Sequence, residues 1–168
     1  MTPAPKLLAD AMLGALARWL RILDVDVAYD PRLDDAELVE KAVDEGRMLL
    51  TRDRRLTQRR LIRDRHLLIR SEVVEDQVRQ VLEELRLAPD PRRLLGRCLR
   101  CNLPLEPMDA SQARARVPPF VARTQDEYRA CPGCGRIYWR GTHVERMMRR
   151  LEALTPALSR REKEQDPE

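Results

Sequence analysis

The amino-acid sequence predicts an α/β protein in which a parallel sheet flanked by helices is followed by a small cysteine-containing module and a C-terminal helix. Over the first ninety residues, short apolar runs alternate with amphipathic patterns, which is typical of strand–helix–strand units with right-handed crossovers. From Pro89 the chain is rich in Pro, Gly, Cys and Arg and shows no sustained hydrophobic period. Apolar residues return at helical spacing after Thr142.

Four strands and the helices between them are predicted in residues 1–90. Leucines at helical spacing after residue 12 indicate the first helix. Asp34 and Glu37 form a capping box that begins the second, and Gly46 ends it. A basic helix is expected from about Arg54 to Arg63, and a last helix precedes the prolines near residue 90. The expected strands are Lys6–Ala9, Val25–Tyr29, Met48–Thr51 and Leu67–Ile69.

The remainder of the chain is predicted to divide into three parts. Residues 91–141 form the cysteine-containing module. Residues 142–156 form a helix whose first turn reads as a second capping box, Thr142 with Glu145. Residues 157–168 are charged and lack an apolar stripe, so we expect a disordered tail there.

Composition excludes several classes of protein. Apolar residues make up 43% of the 168 residues, which allows a packed core and argues against wholesale disorder. The N-terminal residues do not follow the pattern of a signal peptide, and no apolar stretch is long enough to span a membrane. We therefore expect a soluble, cytoplasmic protein. The formal net charge is +4, and almost all basic residues are arginines, which either a GC-rich genome or phosphate recognition explains.

The four cysteines occur as two C-x-x-C pairs, Cys98 with Cys101 and Cys131 with Cys134. Each pair places two thiolates on a tight turn, and four thiolates suit a tetrahedral zinc ion. A redox dithiol would need only one pair, and a reducing compartment disfavours disulfides. We therefore predict one structural zinc site, closed by four protein ligands, in a ribbon with an extended hairpin.

Carboxylates follow two of the predicted strands. Asp10 ends the first strand, Asp53 lies two residues beyond the third, and Asp35 opens the helix that precedes the third. In a parallel sheet, Asp10 and Asp53 emerge at the same edge, and a neighbouring helix start can add another carboxylate. Clustered carboxylates repel one another unless a cation is present, so one hypothesis is a Mg²⁺ or Mn²⁺ site. The alternative is that each aspartate caps a helix, as the capping box indicates for Asp34.

A strongly basic segment surrounds Asp53. Its seven arginines cannot be neutralised by the two acidic residues within the segment, so it is either a solvated helix face or a phosphate-binding surface. The cysteine-containing module adds Arg136 and Arg140 beside Tyr138 and Trp139, aromatic residues that either stack on bases or pack beneath the ribbon. The seven arginines are Arg52, Arg54, Arg55, Arg59, Arg60, Arg63 and Arg65.

Four motifs occur here in a characteristic order: LLADAMLGALARWLR at Leu7–Arg21, DDAELV at Asp34–Val39, GRMLLTRD at Gly46–Asp53, and the two C-x-x-C pairs. Together they resemble the Mut-seven C-terminal ribonuclease domain family, over about residues 6–150. The resemblance implies a PIN-like nuclease domain at residues 1–90 and a zinc ribbon at residues 91–141.

The resemblance also implies a Mg²⁺- or Mn²⁺-dependent ribonuclease that hydrolyses RNA phosphodiester bonds, which we expect to be an endonuclease. By position, Asp10, Asp35 and Asp53 match the acidic residues of PIN-like domains. Glu72 and Asp76 are candidates for the fourth acidic residue that many such domains use. The alternative is a non-catalytic nucleic-acid-binding or ribosome-associated zinc-ribbon module. The residues expected to bind RNA are Arg52, Arg54, Arg55, Arg59, Arg136 and Arg140.

Overall fold

The computed structural model describes residues 4–154, which form two units. The first contains the chain up to Arg21 together with Val25–Ala88, and the second contains Ile22–Asp24 together with the chain from Pro89 onward. The tail predicted at residues 157–168 lies outside the described residues. Among the helices of residues 4–154, none combines the length and the apolar character needed to cross a bilayer.

Four short parallel strands form the sheet of the first unit, in the order β2-β1-β3-β4, which confirms the predicted α/β class. The central pair is β1 and β3, with Leu7 opposite Met48 and Ala9 opposite Leu50. Every residue of β1 is buried, as expected for a parallel strand that is covered on both faces. The strands are β1 (Leu7–Ala9), β2 (Val27–Tyr29), β3 (Met48–Thr51) and β4 (His66–Leu68).

The helices of the first unit begin and end largely where the sequence signals them. The predicted capping box is present, because the Asp34 side chain accepts the Glu37 N–H and the Glu37 carboxylate accepts the Asp34 N–H, both at 2.9 Å. Gly46 adopts a φ of 62° just after the second helix, a conformation that glycine reaches without strain. The helices are α1 (Gly14–Ile22), α2 (Asp35–Asp44), α3 (Arg54–Thr57) and α4 (Val74–Glu84).

The prediction of one continuous basic helix over residues 54–63 is wrong. The segment is the short α3 followed by a 3₁₀ turn at Arg60–Ile62, with extended backbone at Arg59 between them. Leu56 and Ile62 explain the break, because both are fully buried in the core cluster that includes Leu8. Six residues apart on one continuous helix, they would point about 120° away from each other at 3.6 residues per turn.

The second unit contains a three-stranded antiparallel sheet in the order β5-β6-β7 and three helices. The two short helices of its long spacer lack a hydrophobic period and were not predicted. The C-terminal helix begins at Thr142 itself, so Thr142 lies inside the helix, where we had expected a capping residue. The elements are β5 (Glu106–Met108), α5 (Ala110–Arg114), α6 (Pro119–Thr124), β6 (Tyr128–Ala130), β7 (Ile137–Tyr138) and α7 (Thr142–Leu154).

Candidate functional site

Asp10 follows β1 directly, and three hydrogen bonds hold its carboxylate. Oδ1 accepts the Met12 N–H at 2.9 Å. Oδ2 accepts the Thr51 hydroxyl at 2.5 Å and the Arg52 N–H at 3.3 Å. The side chain is buried, with 6% of the residue exposed. The carboxylate is therefore fixed at the carboxyl edge of the two central strands.

Thr51 connects Asp10 to Asp53. It is fully buried at the end of β3, donates its hydroxyl to Asp10, and accepts the backbone N–H of Asp53 at 3.0 Å. Sequence reasoning missed this residue, although a hydroxyl at the end of a buried strand, between two acidic positions, was a signal that could have found it. One side chain thereby positions both candidate catalytic residues.

Asp53 caps α3 and still has one oxygen to offer. Its Oδ1 accepts the N–H groups of Arg55 at 2.7 Å and Leu56 at 3.4 Å. Within residues 4–154 its Oδ2 accepts no hydrogen bond, and the residue is only partly buried. The capping role of Asp53 therefore leaves a carboxylate oxygen free to bind a ligand.

Asp35 differs from the other two, because it is exposed in the first turn of α2 and its side chain forms no hydrogen bond within the described residues. Across residues 4–154, the four cysteines form the only group of three or more potential ligands whose ligand atoms all lie within 4.8 Å of one another. Asp10, Asp35 and Asp53 thus do not make a closed three-carboxylate cage. Mg²⁺ does not require one, since it keeps several waters and commonly uses one or two carboxylates together with substrate phosphates.

The basic segment differs in character along its length. Arg52 is half-buried and forms an ion pair with Glu72 at 2.9 Å, and its hydrogen bond lowers the pKa of that carboxyl. Asp76 is engaged by Arg79 at 2.7 Å. Both candidates for a fourth acidic residue therefore already have arginine partners. Arg54, Arg55 and Arg59 are exposed, and they form no ion pair within the described residues.

The four cysteines meet in the second unit. The sulfur atoms of Cys98, Cys101, Cys131 and Cys134 all lie within 4.8 Å of one another, and those of Cys98 and Cys134 are 3.7 Å apart. A tetrahedral zinc site with bonds of about 2.3 Å separates its sulfurs by about 3.8 Å. A disulfide would need about 2.05 Å. The four thiols are unbridged and could hold a metal such as zinc.

Hydrogen bonds lower the pKa of the Cys98 thiol. Burial raises the pKa of its thiol, but the hydroxyl of Tyr138, 3.2 Å from the sulfur, and nearby backbone N–H groups outweigh that effect and lower the pKa to about 6. The same hydroxyl accepts the Leu99 N–H at 3.2 Å. Cys101 shows the opposite behaviour, because its hydrogen bond to Cys134 helps raise its pKa to about 12. Several thiolates at this spacing repel one another unless a cation neutralises them.

The remaining residues expected to bind RNA also lie in the second unit. Arg136 is exposed, and Arg140 donates a hydrogen bond to the Pro91 carbonyl oxygen at 2.7 Å. Tyr138 contacts the cysteine cluster, which favours the packing interpretation for this ring. Trp139 is half-buried, so part of its surface remains accessible.

Comparison with known proteins gives one match. The family described as the Mut7-C RNAse domain matches residues 5–151, which is most of the chain. No significant match was found among curated proteins or solved structures. The match confirms the family indicated by the motifs, and the description of the domain indicates a nuclease-like enzyme with a ribonuclease-type function.

Proposed function

Because the chain belongs to the Mut7-C RNAse domain family, we propose that it is a metal-dependent endoribonuclease that hydrolyses RNA phosphodiester bonds in the cytoplasm. Asp10 and Asp53 hold a Mg²⁺ or Mn²⁺ ion, and Asp35 supports it through water. The cysteine cluster holds a structural zinc ion in a module that helps to bind RNA. The observation that carries the proposal is the single hydroxyl of Thr51, which fixes both aspartates at one edge of the sheet.

The donor set fits such an ion. Hard divalent cations prefer carboxylate oxygens. The Asp10 carboxylate uses three of its roughly four lone pairs in hydrogen bonds, and Asp53 uses only one of its two oxygens. When bound, the ion would supply Lewis-acid stabilisation of the phosphate and a water of lowered pKa.

The protein itself contributes position and charge. The Thr51 hydroxyl orients the Asp10 carboxylate, and backbone N–H groups orient that of Asp53, before the substrate arrives, so little reorganisation is needed at the edge of the sheet. Arg54, Arg55 and Arg59 offer guanidinium groups that bind flanking phosphates in bidentate fashion. Arg52 contributes less in the free protein, since Glu72 already neutralises it.

The experiment is cleavage of single-stranded RNA by Asp10→Asn, with Asp44→Asn as the matched control because Asp44 is an exposed aspartate at the end of α2. We expect Mn²⁺-stimulated cleavage by the wild type and the control, and none by Asp10→Asn, with RNA binding retained. A circular RNA distinguishes the endonuclease from an exonuclease, since only an endonuclease opens a molecule without ends.

A second candidate is the non-catalytic nucleic-acid-binding or ribosome-associated module. It is favoured by the capping roles of the aspartates, since Asp10 accepts the N–H of Met12 and Asp53 those of Arg55 and Leu56. If the wild type cleaves none of a set of linear, structured and circular RNAs in Mg²⁺ or Mn²⁺ yet binds them, this second function replaces the first.

A further inference from the structure

A groove of about 360 Å³ lies in the second unit. Its size falls within the range of about 300–1,000 Å³ that is usual for small-ligand sites. The three-stranded sheet and the residues after β7 form part of its lining, and Leu94 and Leu95, both buried, contribute apolar surface. The groove is therefore large enough for a planar ligand and has an apolar side to receive one.

Trp139 supplies an aromatic surface in this groove. The residue follows β7 and is half-buried, so the ring is partly accessible. The indole lies close to Gly141, because a Cβ atom added to that glycine would be 3.2 Å from the indole Nε1. No hydrogen bond within residues 4–154 uses the indole N–H. Aromatic rings of this kind bind nucleobases of any sequence, because every base has a π-face.

Arg129 supplies a cation in the same groove. Its neighbours across the sheet are Pro107 in β5 and Tyr138 in β7, and all three line the groove. Directly opposed residues in antiparallel strands share one face, so Arg129 lies on the same face of the sheet as Pro107 and Tyr138. Its guanidinium forms neither a hydrogen bond nor an ion pair within the described residues.

The charge of the groove favours one phosphate. Three arginines line it, Arg92, Arg129 and Arg140, against two carboxylates, Asp126 and Glu127, which leaves one net positive charge. Arg92 is paired with an aspartate, and Arg140 donates to a backbone carbonyl. Asp126 is itself neutralised at 2.8 Å by an arginine outside the groove. Arg129 is thus the groove arginine with all its donors available.

We propose that this groove binds one unpaired nucleotide of an RNA strand, with the base stacked on Trp139 and the adjoining phosphate held by Arg129. Stacking requires a base that is free of its partner strand, so a duplex does not satisfy the site. The inference rests on RNA being the substrate, and it adds a binding subsite in the second unit, whereas the candidate catalytic residues belong to the first.

The test measures RNA binding by the full-length, zinc-loaded chain carrying Asp10→Asn, without added Mg²⁺ or Mn²⁺. Trp19→Phe leaves Trp139 as the only tryptophan. A short single-stranded RNA should then quench its fluorescence saturably, and a duplex of the same composition should not. Trp139→Leu should weaken binding about tenfold or more, whereas Trp139→Phe should retain most of it.

Phe120→Leu is the matched control, because Phe120 is an exposed aromatic residue of the same unit outside the groove. It should leave affinity unchanged. Arg129→Gln should reduce the slope of log affinity against log salt by about 0.7, the value for one phosphate contact on a single strand. Zinc content and far-UV circular dichroism establish that each variant is folded.

Two outcomes overturn the subsite. The first is that the duplex quenches Trp139 fluorescence as strongly as the single strand does. The second is that the folded Trp139→Leu and Arg129→Gln variants bind RNA with the same affinity as Phe120→Leu. The proposed catalysis is tested separately in the chain with Asp10 intact. If the wild type shows metal-stimulated cleavage and Trp139→Leu binds RNA as the wild type does, only the subsite is refuted. If RNA binding depends on Trp139 but no RNA is cleaved, only the nuclease is refuted.

Discussion

Replacing Thr51 by valine tests whether one hydroxyl holds the candidate catalytic edge together. Valine has nearly the same shape, and Thr51 is fully buried, so the change removes two hydrogen bonds without opening a cavity. A bond to a carboxylate contributes about 1.5–3 kcal/mol and a neutral one about 0.5–1.5 kcal/mol. We therefore expect the free energy of unfolding of the first unit to fall by about 2–4 kcal/mol.

The assay is urea unfolding followed by the fluorescence of Trp19, which lies in the first unit, in a Trp139→Phe background. A reporter confined to one unit is needed because two units need not unfold together. Thr57→Val is the control, since the Thr57 hydroxyl makes one exposed bond to the Arg54 carbonyl oxygen. It should cost less than about 1 kcal/mol. A loss for Thr51→Val no greater than that of the control would refute the reasoning.

Tyr138→Phe should raise the pKa of Cys98 above about 6, because the hydrogen bond that counteracts the effect of burial is lost. Protons then compete with zinc for the sulfur at a higher pH, so zinc should be released at a higher pH on acidification, as measured with a chromogenic chelator. Arg32 lowers the pKa of Asp30 from 3.8 to about 2 by a hydrogen bond, so this pair stabilises the fold above pH 3.8 and the effect is lost as the pH falls through 2. Arg32→Ala should return the NMR titration of Asp30 toward 3.8. Removing zinc with a chelator should release one ion per chain and unfold the second unit, while Trp19 fluorescence still reports a folded first unit.

Local patterns were sufficient for much of the fold. The capping box at Asp34 and Glu37, the stop at Gly46 and the alternation of strands with helices involve residues a few positions apart, so the sequence alone predicts them. The spacing within each C-x-x-C motif is equally local. That the two motifs share one metal was predicted from the chemistry of the ligands, because four thiols in one chain of this composition favour a shared metal.

The candidate catalytic edge was predictable only in part. Parallel pairing places Asp10 and Asp53 at one edge whatever the details, and the structure has them there. Periodicity could not reveal that Asp10, Asp35 and Asp53 do not form one compact group of three carboxylates, since the position of Asp35 depends on where α2 packs. Nor could it reveal that Arg52 is neutralised by Glu72, twenty positions further along the chain.

The sequence by itself thus determined the strand–helix alternation of the first unit, the family and the residues with chemical potential, because these depend on side-chain type and near-neighbour spacing. Only the tertiary structure decided which atoms meet. The Thr51 hydroxyl joins the carboxylate of Asp10, which follows β1, to the backbone of Asp53, which follows β3. The break at Arg59 allows Leu56 and Ile62 to enter the same core. Contacts between residues far apart in the chain depend on how whole elements pack, and no local period contains that information.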